Sequence, residues 1–528
     1  MKKILLSFVA IMALTLAVNA QWIDQASGFS AASRGIRNIN AVSSQVAWAA
    51  AYDGSGSNAP VQDITKTING GTLWTAHTIP GITNLDIANI VAVDNMKAWT
   101  CMYPPAATTT GQGIYHTTDG GVTWVHQTTA LFTNASSFAD FVHFWDPNLG
   151  VAVGDPINGH FEIYNTSDGG TTWTANTNSP APVSGEFGVI GYFSVVNDII
   201  WFGTNKARVY KSIDNGLTWT VAQIPGSAWT NVYVQPFFRD AMNGFCGNRG
   251  TGTVAATSAL ARTTDGGTTW TTATTTGNVF TNDVSYVPGT PTTWVTSGAD
   301  ATTPADGVTY SFDDGATWND MASTIGTQYL AMGWVNDSTG WVGGFNADAT
   351  TGGMSKFNSI LAPCDFTANN VAVVKGGSVT YTITAGVHST STVSWTCPGG
   401  TPATSTSKHP TIVYNTPGTY NVTLTATNSW GNSTKLKTGY IYVGGVGINE
   451  HSAATVTVFP NPVKDVLNIQ GSANIQEVKI MNMVGQVVYN ETSDAATLTI
   501  STSNLKSGVY NLQIKMADGF ISKKIVVN

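Results

Sequence analysis

The stretch RTTDGGTTW, Arg262–Trp270, sets a threonine pair, an aspartate, two glycines and two more threonines ahead of a tryptophan. Taken alone it is a tight turn, because Asp accepts hydrogen bonds from nearby amides and Gly supplies the positive φ that other residues resist. The chain writes it six times. Near-copies stand at Thr117–Trp124 (TTDGGVTW), Thr166–Trp173 (TSDGGTTW), Ser212–Trp219 (SIDNGLTW) and Ser311–Trp318 (SFDDGATW), with a degraded copy at Thr67–Trp74 (TINGGTLW). The closing tryptophans Trp74, Trp124, Trp173, Trp219, Trp270 and Trp318 are 50, 49, 46, 51 and 48 residues apart. A period near fifty means one supersecondary unit per repeat, and four short strands fill that length.

Each unit reads as an apolar first strand (Ile87–Val93, Phe141–Trp145, Val189–Val196, Val232–Phe238, Val284–Val287), then a second strand and a third ending at the turn. A fourth begins at the tryptophan. Such units are propeller blades. The six turns resemble the Asp-box (BNR repeat) of sialidase-like propellers, Ser/Thr-x-Asp-x-Gly-x-Thr-Trp. The resemblance places the boxes on the rim away from the ligand face, so Asn69, Asp119, Asp168, Asp214, Asp265 and Asp313 are structural rather than catalytic. The tryptophans are expected to pack between blades. Residues 329–360 repeat strands one to three and stop where a box should begin, while Gln21–Phe29 places Trp22 as Trp270 stands in its own unit. The expected fold is therefore all-β, with a seven-bladed propeller over residues 21–361 whose last blade takes a strand from the N-terminal end, leaving no open sheet edge.

The chain has 528 residues, of which 10% are charged, with 55 Gly and 17 Trp, in keeping with turn-rich β structure. Its formal net charge is −8; without Lys2 and Lys3, Lys+Arg falls from 23 to 21 against 31 acids, about −10. With no basic cluster, nucleic acid is excluded as a partner. Lys2-Lys3, the apolar run Ile4–Val18 and the small residues ending at Ala20 read as an export signal over residues 1–20. Of four cysteines, Cys364 and Cys397 fall in one later domain and could form a disulfide, whereas Cys101 and Cys246 are expected to be buried thiols.

Residues 362–443 change pattern. Pro417–Asn428 alternates Tyr420, Val422, Leu424 and Ala426 with polar residues, giving one buried face. With Val393–Trp395 and Pro398-Gly399-Gly400, it resembles the PKD domain, a β-sandwich that usually serves as a spacer or weak binder of glycan or protein. A Gly-rich linker covers 444–455. Over 456–528 stand VFPNPVKDVLNI (Val458–Ile469), VKIMNMVGQVVYN (Val478–Asn490) and LKSGVYNLQIKMADGFISKKIVVN (Leu505–Asn528). These resemble the C-terminal sorting domain of type IX secretion substrates of the Bacteroidetes phylum. The resemblance implies a second small β-sandwich, the type IX secretion machinery as partner, and release or peripheral attachment at the outer-membrane surface.

Function is less legible, since fold does not give function. The sialidase Arg-Ile-Pro segment is absent; the nearest stretch is Ser33-Arg34-Gly35-Ile36-Arg37. Xyloglucanase-like propellers use a pair of Asp carboxylates across a cleft. Here Asp86, Asp140, Glu186 and Asp283 precede first strands and would stand together at the channel mouth as weak catalytic candidates for a polysaccharide hydrolase or lyase. No zincin helix, nucleophile elbow, metal cluster or Ca²⁺ loop is legible, and no cofactor is expected. The leading reading is a monomeric secreted or cell-surface protein that binds glycan or protein through loops such as Pro104–Gln112, Gly247–Ser258 and Asn346–Gly353.

Overall fold

The computed structural model describes residues 22–105, 110–248, 260–300, 305–321, 324, 327–361, 363–387, 391–428, 431–444, 455–517 and 519–528. The export segment 1–20, most of the 444–455 linker and parts of the loops 104–112 and 247–258 lie outside them. Among the described residues the chain is all-β, with one three-residue 3₁₀ turn at Ser227–Trp229.

Residues 22–357 form five separate four-stranded sheets and one eight-stranded sheet. The four-stranded sheets span 86–126, 139–176, 188–223, 234–272 and 283–320, each an antiparallel meander in chain order. The eight-stranded sheet is two such meanders, 34–78 and 331–357 with 22–26, joined by the single pair Gly35↔Phe345. Its second half takes its outermost strand, Trp22–Ala26, from the other end of the sequence, running antiparallel to Thr351–Phe357 with Trp22 opposite Phe357 and Ala26 opposite Gly353. The five first strands read from the repeat lie within a few residues of those observed, Asp86–Ala92, Ala139–Phe144, Gly188–Val196, Val234–Phe238 and Asp283–Tyr286.

The first strands of all seven meanders line one central cavity of about 540 Å³. Side chains tie neighbouring first strands together. Asn38 exchanges a reciprocal pair of hydrogen bonds with the Ile90 backbone at 3.1 and 3.1 Å, and Asn89 does the same with Val142 at 2.9 and 3.0 Å. Ser194 accepts the Phe238 N–H at 2.9 Å. Buried backbone groups facing the channel are thus satisfied across the gaps between sheets.

The strand Gly188–Val196 is the irregular one. Gly188 pairs with Thr204 and Phe193 with Phe202, so the residues between bulge away from the ladder. Gly191 (φ +74°) sits at the turn of that bulge, and a Cβ there would lie 2.4 Å from the Ala88 carbonyl of the second meander, the next but one. Positive φ and this approach both require glycine.

After residue 361 two further β units follow. In the first, a sheet ordered 365–368, 377–385, 411–414, 400–401 faces a five-stranded sheet containing 418–428. Their shared core holds Phe366, Tyr381, Trp395, Val422, Leu424 and Ala426, matching the expected alternation. Cys364 and Cys397 both lie in that core as free thiols, which corrects the disulfide expectation. Cys364 Sγ donates to the Ser433 carbonyl at 3.2 Å, and burial raises both thiols, Cys397 to about 11. Cys101 and Cys246 are buried and free, as expected. The last unit is one continuous five-stranded sheet. Its long strand Val466–Met481 breaks register between Gln470 and Ile475, pairing Val456–Phe459 on one half and Gly508–Met516 on the other. The sheet closes around Leu467, Val478, Ile480, Leu512 and Ile525.

Candidate functional site

The repeated turns are self-contained. In Thr263–Trp270 the Asp265 Oδ1 accepts the Thr263 hydroxyl at 2.8 Å and the Thr269 N–H at 2.9 Å, while its Oδ2 accepts the Thr269 hydroxyl at 2.5 Å. Thr263 Oγ1 accepts the Gly267 N–H at 2.9 Å. Asp119, Asp168, Asp214 and Asp313 repeat this pattern, and Asn69 keeps it with a neutral acceptor. Hydrogen bonds to Thr123 hold Asp119 down to about 2, and the Thr172 N–H lowers Asp168. Where the first Gly is replaced, Asn215 and Asp314 take its positive φ.

Each turn also clasps the meander before it. The second-strand rings Trp48, Trp99, Trp201 and Trp341 face the turn glycines of the next meander; Trp99 Nε1 donates to Gly169 O at 3.1 Å and Trp201 Nε1 to Gly266 O at 3.0 Å. A polar side chain on the third strand covers several of these rings. Lys66 lies 4.7 Å from the Trp48 ring and donates to Gly120 O at 2.6 Å; Lys356 lies 5.8 Å from Trp341 and donates to Gly70 O at 2.7 Å. Arg262, immediately before a turn, ion-pairs with Asp314 of the next one. Sequence reading missed this device, although its signal is a polar residue preceding the Ser/Thr of five of the six turns: Lys66, His116, Asn165, Lys211 and Arg262.

Trp74, Trp173, Trp219, Trp270 and Trp318 are buried, while Trp124 is only half-buried. Trp124, Trp219, Trp270 and Trp318 donate Nε1–H to a glycine carbonyl of their own turn. Trp22, which no such turn precedes, is buried with its Nε1–H unpaired.

The four channel-mouth acids are not assembled into one site. Only Asp283 lines the central cavity, and one of its oxygens accepts the Met332 N–H of the next meander at 2.7 Å. Asp86 accepts the Val61 N–H of the preceding meander at 2.7 Å, and burial raises its carboxyl. Glu186 is buried and engaged by the Val183 N–H at 2.8 Å, the Thr204 hydroxyl at 2.8 Å and the Arg208 guanidinium. Asp140 is fully buried beside Asp155, whose Oδ1 accepts the Gly188 N–H at 2.9 Å. Burial and mutual repulsion push Asp140 well up, and burial raises Asp155 to about 6. Expected to stand together at the mouth, Asp86 and Asp283 instead hold neighbouring meanders, Glu186 is tied within its own, and Asp140 is closed off against Asp155. Asn346, at the start of an expected contact loop, is likewise buried, binding the Phe29 and Ala31 carbonyls at 2.8 and 3.0 Å and accepting the Arg34 N–H at 2.8 Å.

Comparison with known proteins identifies two segments. Residues 457–528 match the family model of the secretion system C-terminal sorting domain, and residues 365–438 match that of the PKD domain. Secretion is thus of type IX, to the cell surface or extracellular space. No curated protein sequence matches. Among solved structures, YCF48 from Cyanidioschyzon merolae is 16% identical at TM-score 0.45, covering 64% of this chain and 99% of that one. The GH74 xyloglucanase from Xanthomonas campestris is 11% identical at TM-score 0.37, covering 95% and 87%. PorZ, a surface component of the type IX secretion system of Porphyromonas gingivalis, is 11% identical at TM-score 0.22, covering 96% and 100%.

Proposed function

We propose that residues 21–361 are a seven-bladed Asp-box propeller that binds glycan or protein at its central channel. It is carried outside the cell by the sorting domain 456–528, with residues 362–443 as a PKD-like spacer and 444–455 as a linker. The observation that carries binding over turnover is how the acids are occupied. Inverting hydrolysis needs two carboxyls facing one another across ~6.5–9.5 Å of substrate-accessible space. Asp86 and Asp283 each accept a backbone N–H from a neighbouring meander, Glu186 is enclosed by four donors, and Asp140 is closed off with Asp155. The seven first strands around one cavity support the propeller reading, as do the repeated turns and the strand shared by both ends.

The test is to screen the purified mature chain on glycan and protein arrays while assaying reducing-end release from the same polysaccharides. Binding without release supports the reading; release abolished by Asp283→Asn would replace it with a hydrolase.

A further inference from the structure

We propose that the central cavity takes the end of an apolar chain bearing a carboxylate, with Arg37 as the residue that binds the charge. This rests on the channel being the binding site and adds the chemistry of what enters it.

Arginines on this chain are normally paired. Arg34 meets Asp63 at 2.9 Å, Arg239 meets Asp314 at 2.6 Å, and Arg208 and Arg262 pair with Glu186 and Asp314. Arg37 forms no ion pair among the described residues, and it is part of the wall of the 540 Å³ cavity. Its guanidinium is 5.5 Å from the ring centroids of both Tyr52 and Tyr103, and its Nε is buried without a hydrogen-bond partner. The Arg37 charge is felt by Asp86 without contact, one Asp86 oxygen being held by the Val61 N–H, and the guanidinium also meets the Tyr103 hydroxyl, which leaves its Nε free for a ligand. Arg239, the other cavity arginine, is already neutralised by Asp240 and Asp314. A guanidinium held between two rings, partly out of water, with its Nε unpartnered and no carboxylate of the described residues in contact, favours an anion, and its planar fork matches a carboxylate.

The rest of the wall selects the body of the ligand. That wall is mixed: Phe237, Leu330 and Met332 offer apolar contact while Asn40, His143 and Ser194 stand among them, which suits a short hydrocarbon-rich chain with a few polar groups rather than a continuous row of sugar hydroxyls. The Gly191 bulge reaches past the third meander to the Ala88 carbonyl of the second, so it projects into the channel from that side.

Calorimetry on the mature full-length chain with N-acetylated trileucine as its free acid, as its C-terminal amide, and with octanoate tests this. The acid should bind about tenfold or more tightly than the amide, and Arg37→Gln should weaken the acid to the level of the amide while leaving the amide unchanged. Arg37→Lys, which keeps the charge and loses the fork, should fall between and serves if the Gln variant does not fold. Octanoate binding in an Arg37-dependent way indicates a lipid-derived carboxylate; trileucine acid alone indicates a peptide end. The proposal is overturned if acid and amide bind alike, if Arg37→Gln binds the acid as the parent does, or if no carboxylate probe binds. A neutral array ligand that occupies the channel would leave the binding reading standing and overturn this one.

Discussion

At the scale of the residue, the repeated turn is paid for in conformation and returned in contacts. Gly267 holds φ +87°, and a Cβ there would meet Trp201 Nε1 and Trp270 Cζ2 at 3.3 Å. Gly267→Ala should therefore cost roughly 1–2 kcal/mol from backbone strain alone, read as a lower melting temperature with native circular dichroism. Trp270→Ala removes a buried ring that also donates to the Gly267 carbonyl, and should cost roughly 3–5 kcal/mol. Asp265→Asn should cost less, because the first turn works with Asn69 in that place. An Asp265→Asn loss equal to that of Trp270→Ala in chemical denaturation would mean that charge, not acceptor geometry, holds the turn. The turns were legible because their chemistry is local: an acid, a hydroxyl and glycines within eight residues. Asn38 and Asn89 were not, because their partners stand 52 and 53 residues away and nothing in an isolated strand marks them.

At the scale of the element, the first strands carry the side chains that join sheets, and this explains why acids expected at an open mouth were found in use. A residue at the start of a first strand is also beside the neighbouring meander's unpaired N–H groups, as Asp86 is to Val61 and Asp283 to Met332. Sequence gives the strand but not its neighbour's register, so the free and the committed carboxylate look alike. Asn89→Ala should leave the Val142 N–H and C=O unpaired in the core and cost roughly 1–3 kcal/mol, whereas substitution of exposed Asn148 should be near neutral. The closing strand is a larger wager of the same kind. Trp22–Ala26 covers the edge Thr351–Phe357, and Gln25 Oε1 accepts the Trp74 indole N–H at 2.8 Å, linking the two ends of the ring. Removing residues 21–30 should expose that edge and give a broadened, aggregation-prone thermal transition. A truncated chain that melts like the parent would show that the ring is closed without it.

At the scale of the whole molecule, two sets of acids pull stability in opposite directions with pH. The turn acids have lowered folded pKa values, with Asp119 at about 2, so the stability they contribute is present above the unfolded value of 3.8 and is lost as pH falls through the folded one. Asp140 and Asp155 are the reverse. Their folded values are raised, Asp155 to about 6, so their contribution is present below 3.8 and is lost as pH rises through the folded values, where an unfolded chain ionises them freely and the buried pair resists. The melting temperature should therefore peak at about pH 4 and decline as pH rises from there through about 6 and beyond. Asp140→Asn removes one of the two carboxyls and leaves Asp155 without its repelling neighbour. The variant should lose little near pH 5, gain on the parent at pH 8, and so show a flatter alkaline limb. Calorimetric melts at matched ionic strength from about pH 3 to 8 measure both limbs at once. If the parent and Asp140→Asn decline in parallel above pH 6, the buried pair does not set the alkaline limb, and the loss belongs to the net charge of an acidic chain as a whole.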